Sequence, residues 1–225
     1  MRAYGTVLFD LDGTLIDSIR LILDSFHHTL AAFGMPPREE AELLRGIGTP
    51  LAKIMSTWAP DAATTEAMLA IYRAHNLEHH DRMIRAFPGI PEALDAFRAQ
   101  GIRLGVVTSK SRRFAEMGLR ATGLDAAFPV MICGDEVTHP KPHREPVDKA
   151  LALLGVTPDD ALFVGDSLHD LHAGRAAAVD TGAALWGPFT REDLVSGAPT
   201  HWLTTPDALR KVVQGERLSR TPGSE

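Results

Sequence analysis

The sequence predicts an α/β protein: a doubly wound sheet of parallel strands, interrupted after its first strand by an all-helical insertion. Three observations lead there. A short apolar, β-favouring run near the start, Thr6-Val7-Leu8-Phe9, ends in Asp10, Asp12 and Gly13. From Pro88 onward, apolar runs alternate with helical patterns at the spacing of strand–helix–strand units, whose connections are nearly always right-handed. Between about residues 16 and 87 the apolar residues recur at helical spacing and no strand is convincing.

In the first strand, residues i and i+2 face the same side, so Asp10 and Asp12 converge as it ends. Gly13 permits the tight turn that follows. Two acids at the end of a buried strand are costly unless a cation neutralises them. That end is also where ligands bind in open α/β sheets. A calcium loop is excluded, because it needs glycine sixth and glutamate twelfth. Here glycine is fourth and Leu21 is twelfth.

Ser18 is expected to cap a helix running to about Phe33, with Ile19, Ile22, Leu23, Phe26 and Leu30 at helical spacing. Gly34-Met35-Pro36-Pro37 stops it. Helices follow over 38–45, 50–58 and 61–80, with a flexible turn, Gly46-Ile47-Gly48-Thr49-Pro50, after the first of them. Pro88-Gly89 closes the insertion. The remainder reads as helix 91–100, strand 102–108, helix 111–121, strand 129–133, helix 144–154, strand Ala161–Gly165, helix 168–177, strand 181–186 and helix 207–213. This divides the chain into a core domain, 1–15 plus 88–214, and a helical cap, 16–87, with hinges near 15–17 and 86–89. A polar segment, 215–225, is expected to fray.

The 225 residues carry a formal charge of -6, with 44% hydrophobic and 23% charged side chains, an ordinary globular composition. No basic cluster supplies a footprint for nucleic acid. No apolar run reaches membrane-spanning length and no signal peptide is evident, so a cytoplasmic protein without a membrane partner is expected. Cys133, the one cysteine, allows no intrachain disulfide and reads as a buried, inert thiol.

Three further stretches can carry chemistry, each at an expected strand end. Thr108 is followed by Ser109 and Lys110; a hydroxyl there can donate without adding charge, or Ser109 or Ser111 can cap the next helix. In His139-Pro140-Lys141-Pro142-His143-Arg144-Glu145-Pro146, the prolines stiffen the loop that positions Lys141. In Gly165-Asp166-Ser167-Leu168-His169-Asp170, the two acids lie four apart and share a helix face. They suit a hard cation, or else complement a helix dipole worth about 0.3–1 kcal/mol each.

With Asp10-Leu11-Asp12-Gly13-Thr14, these stretches resemble, in order, the four motifs of the haloacid dehalogenase superfamily. The resemblance covers nearly the whole chain and implies a Rossmann-like core with an inserted helical cap. It implies that Asp10 is a nucleophile forming an aspartyl-phosphate and that Asp12 is the acid and base. Thr108, Ser109 and Gly13 would hold phosphate, and Lys141 would balance charge. Mg²⁺ would be held by Asp10, Asp12 through its main-chain carbonyl, Asp166 and Asp170. Asp12 sets the chain apart from the dehalogenases themselves, which lack that second acid.

The early helical cap resembles that of the class containing phosphoglycolate phosphatases and β-phosphoglucomutases. Gly48-Thr49-Pro50-Leu51, Tyr72-Arg73-Ala74-His75-Asn76, His80-Asp81 and Phe87-Pro88-Gly89-Ile90 resemble segments of bacterial capped pyrophosphatases more closely. The implied partner is pyrophosphate or a small phosphorylated substrate such as 2-phosphoglycolate, with Arg45 and Gly48 at the leaving group. A phosphomutase differs only in excluding water. A phospho-accepting signalling module fits less well, since its phosphorylated Asp lies on a third strand and it has no helical insertion. Monomer and homodimer both remain open. His75 and His79 read as a solvated helix face, and Met68, Met83 and Trp58 as packing. Lys53 is the cap's one lysine; a Schiff-base role for it has no support in the surrounding sequence.

Overall fold

The computed structural model describes residues 3–216; the expected frayed tail lies outside the described residues from 217 on. The chain opens with β1 (Thr6–Phe9) and β2 (Ile16–Asp17), then α1 (Ile19–Ala32), α2 (Glu40–Gly46), α3 (Leu51–Trp58), α4 (Ala62–Met83) and β3 (Arg85–Ala86). There follow α5 (Ile90–Ala99), β4 (Arg103–Val107), α6 (Arg112–Ala121), β5 (Val130–Ile132) and α7 (Glu145–Leu154). The last part holds β6 (Ala161–Gly165), α8 (Leu168–Ala176), β7 (Asp180–Ala184), α9 (Arg191–Leu194), β8 (His201–Leu203) and α10 (Pro206–Val213).

Six strands form one sheet in the order β5-β4-β1-β6-β7-β8, every neighbouring pair parallel. This is the expected α/β architecture, with β1 at its centre. Strands β4 and β5 extend it on one side and β6 to β8 on the other. The order therefore reverses beside β1, and the crevice of such a sheet opens at the carboxyl ends there. Register sets what meets in that crevice. Phe9 lies level with Val106 and with Val164, so Asp10, Thr108 and Asp166 leave the sheet at one end.

Alternation along β1 sends Val7 and Phe9 to one face and Leu8 to the other. Val7 and Phe9 pack with Leu94, Phe97 and Leu209. Leu8 packs with Phe163, Val147 and Leu151. Each fully buried aromatic of this kind contributes about 1.5–3 kcal/mol from removal of apolar surface from water.

The helices α1 to α4 carry an apolar core of their own, which includes Phe26, Leu43, Met55, Met68 and Tyr72, with Trp58 packed against it. Met83 packs against the main core instead. Two expectations need correction. Residues 16–87 are not wholly without strands, since β2 pairs antiparallel with β3 through Ile16↔Ala86 and Asp17↔Arg85. Two-residue strands are too short to show alternation. Ser18 stands at the start of α1 but makes no capping hydrogen bond; its hydroxyl donates to Asp12 Oδ1 at 2.5 Å. The edge strand β8 also had no expectation, because three residues carry too little pattern. Among the described residues, no helix is long and apolar enough to cross a membrane.

Candidate active site

Four charged side chains meet beneath the carboxyl end of β1, all buried: Asp10, Lys141, Asp166 and Asp170. Asp10 follows β1 directly, Lys141 precedes α7, Asp166 follows β6, and Asp170 lies in the first turn of α8. The Lys141 ammonium donates to Asp10 Oδ1 at 2.7 Å, to Asp170 Oδ1 at 2.6 Å and to the Val107 carbonyl at 3.1 Å. The other oxygen of Asp170 accepts from the Ser167 amide at 3.1 Å and the Ser167 hydroxyl at 2.6 Å. Asp166 Oδ1 accepts from the Thr14 hydroxyl at 2.7 Å, while its Oδ2 is buried without a hydrogen-bond partner.

One oxygen from each of Asp10, Asp166 and Asp170 lies within 4.8 Å of the others. With all three carboxylates ionised, one ammonium would leave two negative charges inside the protein. Burial, then the neighbouring Asp170, pushes the Asp10 carboxyl up to about 7 against the pull of Lys141. Burial and the charges of Asp10 and Asp170 raise Asp166 well above the usual carboxylate range. Burial alone would pull the Lys141 ammonium down; Asp10 and Asp170 outweigh it and raise it. An all-oxygen donor set, an orphaned carboxylate oxygen and a double negative charge fit a hard divalent cation.

The turn after β1 is shaped for this cluster. Gly13 has φ +88°, and a Cβ there would stand 2.4 Å from Asp166 Oδ2. Any side chain at this position would enter the carboxylate cluster. The Trp186 indole braces the same turn by donating to the Thr14 carbonyl at 2.9 Å.

Asp12 is held apart from the cluster. Lys110 donates to both of its oxygens, at 2.6 and 2.7 Å, and Ser18 adds a third bond. No sequence signal pairs Lys110 with Asp12, because the contact depends on how two loops fold. Thr108, at the end of β4, accepts from the Lys110 amide at 3.1 Å. Ser109 reaches the cap, donating to the Gly48 carbonyl at 2.5 Å. Thr49 and His169 make a second cap-to-core contact at 3.2 Å. Gly48 has φ +94°, and a Cβ would lie 2.9 Å from the His169 ring, so glycine lets the cap turn settle on α8.

A cavity of about 320 Å³ lies between this turn and the strand ends, with Asp10, Asp12, Gly48, Thr108, Ser109 and Lys110 in its wall. Other expected positions fall elsewhere. Arg45 is absent from the wall; it lies close enough to help hold Asp193 of α9 low, after hydrogen bonds from Thr190. Lys53 is exposed on α3, within electrostatic reach of His169, whose own value burial above all pulls down. Cys133 is a buried free thiol that burial pushes up to about 12. The face of His75 and His79 is not simply solvated. His28 of α1 stacks on His75 at 4.4 Å, and His79 lies 4.3 Å beyond it.

Comparison with known proteins gives the family of the chain. The family model described as haloacid dehalogenase-like hydrolase matches residues 7–184. A pyrophosphatase PpaX of Anoxybacillus flavithermus is 39% identical over 209 residues, covering 93% of this chain and 96% of that one. A pyrophosphatase PpaX of Bacillus cereus is 41% identical over 182 residues, covering 81% and 83%. A solved structure described as a predicted phosphoglycolate phosphatase of Haemophilus somnus superposes with TM-score 0.87 at 25% identity, covering 95% of this chain and 100% of that one. A family match over most of the chain, with relatives about 40% identical over most of their length, leads to one conclusion: the chain belongs to the haloacid dehalogenase-like hydrolases.

Proposed function

We propose that this protein is a Mg²⁺-dependent phosphohydrolase that passes a phosphoryl group from a small phosphorylated substrate to water through Asp10. The observation that supports it most is the buried cluster of three carboxylates and one ammonium, of which Asp10 lines the cavity between the strand ends and the helical segment. An Asp10 carboxylate oxygen attacks phosphorus, the bond from phosphorus to the leaving oxygen breaks, and that oxygen takes a proton from Asp12. Water then attacks phosphorus, Asp12 takes the water's proton, and Asp10 departs as a carboxylate. To act, Asp12 exchanges its contacts with Lys110 and Ser18 for the substrate.

Lys141 holds Asp10 in place and offsets charge on the transferring group, while the Thr108 hydroxyl and nearby amides hold phosphoryl oxygens. Asp10, Asp166 and the Asp12 main-chain carbonyl, with Asp170 in support, would hold Mg²⁺. When bound, the ion supplies charge neutralisation for the phosphoryl oxygens. The named relatives make pyrophosphate the first substrate to try and 2-phosphoglycolate the second. The test is phosphate release from each, with and without Mg²⁺, beside an Asp10→Asn protein. Release that needs Mg²⁺ and is lost in the variant is expected. Release that survives Asp10→Asn would sink the proposed nucleophile.

A further inference from the structure

The cavity has two unlike halves. Its floor is made by the polar strand ends of the core. Its roof, supplied mostly by the cap, presents Ile22, Phe26, Ile47, Leu51 and Ile54, with Phe114 completing it from α6. We propose that the leaving-group half of this site takes an organic alcohol with an apolar or aromatic body, so that the preferred substrate is a phosphomonoester of that class rather than pyrophosphate. This rests on the phosphohydrolase reading above and narrows its substrate.

Charge argues first. Once the transferring phosphoryl group sits at Asp10, the other half of pyrophosphate is itself a phosphate carrying one or more negative charges. Among the described residues, the cationic side chains in the wall are Arg73 and Lys110, while Asp135 adds a negative charge. Lys110 gives its ammonium to both oxygens of Asp12 in this structure and becomes available only as Asp12 turns to the substrate. A second phosphate would lie against aliphatic and aromatic carbon, with Arg73 and a released Lys110 offset by Asp12 and Asp135 in the same wall, and burying an underpaired anion is costly.

Size and shape argue next. A volume of about 320 Å³ falls in the range, roughly 300–1,000 Å³, of sites for organic ligands. Such sites are mostly apolar with a few polar groups, and here Tyr72 and Asn76 are the polar residues that α4 adds beside Arg73. The roof is also fixed in advance. Phe26 meets Trp58 edge-on at 5.3 Å and Tyr72 at 5.0 Å, and Arg38 lies over Trp58 at 5.0 Å. The helices that supply the roof are seated on the core through Ser109–Gly48 and Thr49–His169. Filling it with hydrocarbon removes apolar wall from water, a gain that pyrophosphate cannot supply.

Ethyl, butyl and hexyl phosphate, whose leaving alcohols have similar reactivity, would be compared with pyrophosphate by kcat/KM under Mg²⁺. Each buried methylene is worth about fourfold, so hexyl phosphate should exceed ethyl phosphate by about a hundredfold or more, and should also exceed pyrophosphate despite the better leaving group of the latter. Leu51→Asn and Ile54→Thr should each flatten the dependence on chain length. A flat series with pyrophosphate preferred would overturn the inference while leaving the phosphoryl chemistry standing. Release from none of the four, nor from 2-phosphoglycolate, would instead defeat the phosphohydrolase reading. Calorimetric binding of ethyl- and hexylphosphonate then decides the inference separately: tighter binding of the longer chain upholds it, and equal binding overturns it.

Discussion

The floor of the cavity carries Asp10, Asp12, Thr108 and Lys110 at strand ends, whereas its roof carries Ile22, Phe26, Ile54 and Tyr72 on helices. On the floor, direction matters: Lys141 reaches Asp10 and Asp170 at 2.6–2.7 Å, while Thr14 fixes Asp166 and Ser167 the other oxygen of Asp170. On the roof, volume and polarity matter, and no single bond sets the shape. In the proposed reaction the floor governs the phosphoryl chemistry and the roof governs what leaves. Changes to the floor should therefore alter rate and ion binding, while changes to the cap should alter substrate choice and stability.

The largest effect is expected at the floor. Asp10→Asn removes the proposed nucleophile and should lower kcat by about 10⁴ or more, read from steady-state phosphate release. Lys141→Met comes next, because it leaves three buried carboxylates with no ammonium among them. Breaking a buried pair in this way costs about 3–5 kcal/mol, measurable by urea unfolding without metal, and added Mg²⁺ should restore part of it.

The same cluster sets a pH dependence. Burial and Asp170 hold the Asp10 carboxyl near 7, above its ordinary value. The metal-free fold therefore binds more protons than the unfolded chain, and its stability falls as pH rises from about 4 to 7. A cation must displace that proton. Mg²⁺ affinity should drop up to about tenfold per pH unit below about 7, with proton release detectable by calorimetry in buffers of different ionisation enthalpy. An affinity flat from about pH 5 to 7 would mean that the cluster is already ionised.

The smallest effect belongs to the cap. Burial, then His28 and His79, pulls His75 below its ordinary value. The unfolded chain thus binds the proton more readily, and the contribution of His75 to stability is present above its unfolded value of about 6.5 and lost as pH falls. Melting between about pH 7 and 5 should decline more steeply in the native chain than in His75→Gln. Equal slopes would remove the histidine column from the account.

The alternation of strands and helices, and hence the parallel sheet, was legible because apolar runs and helical periods differ over several residues. The grouping of Asp10, Asp166, Asp170 and Lys141 was legible too, since each sits beside a strand end or a proline-stiffened loop. The β2–β3 pair was not, because two residues have no period. The Lys110–Asp12 bond was not, because its partners are 98 positions apart and joined by loop geometry alone. Arg45, expected at the leaving group, is absent from the cavity wall and lies within electrostatic reach of Asp193. The apolar roof was hidden for another reason: Ile22, Phe26 and Ile54 carry the same helical spacing whether they face a core or a cavity.

The most direct test of the central claim, that phosphoryl transfer runs through Asp10, is an acid quench of the enzyme during turnover with Mg²⁺. Peptide mass analysis would follow. The account predicts one phosphoryl group on the peptide containing Asp10, labile to hydroxylamine and absent in Asp10→Asn. Full turnover with no protein-bound phosphoryl group, or with the group on another residue, would contradict it.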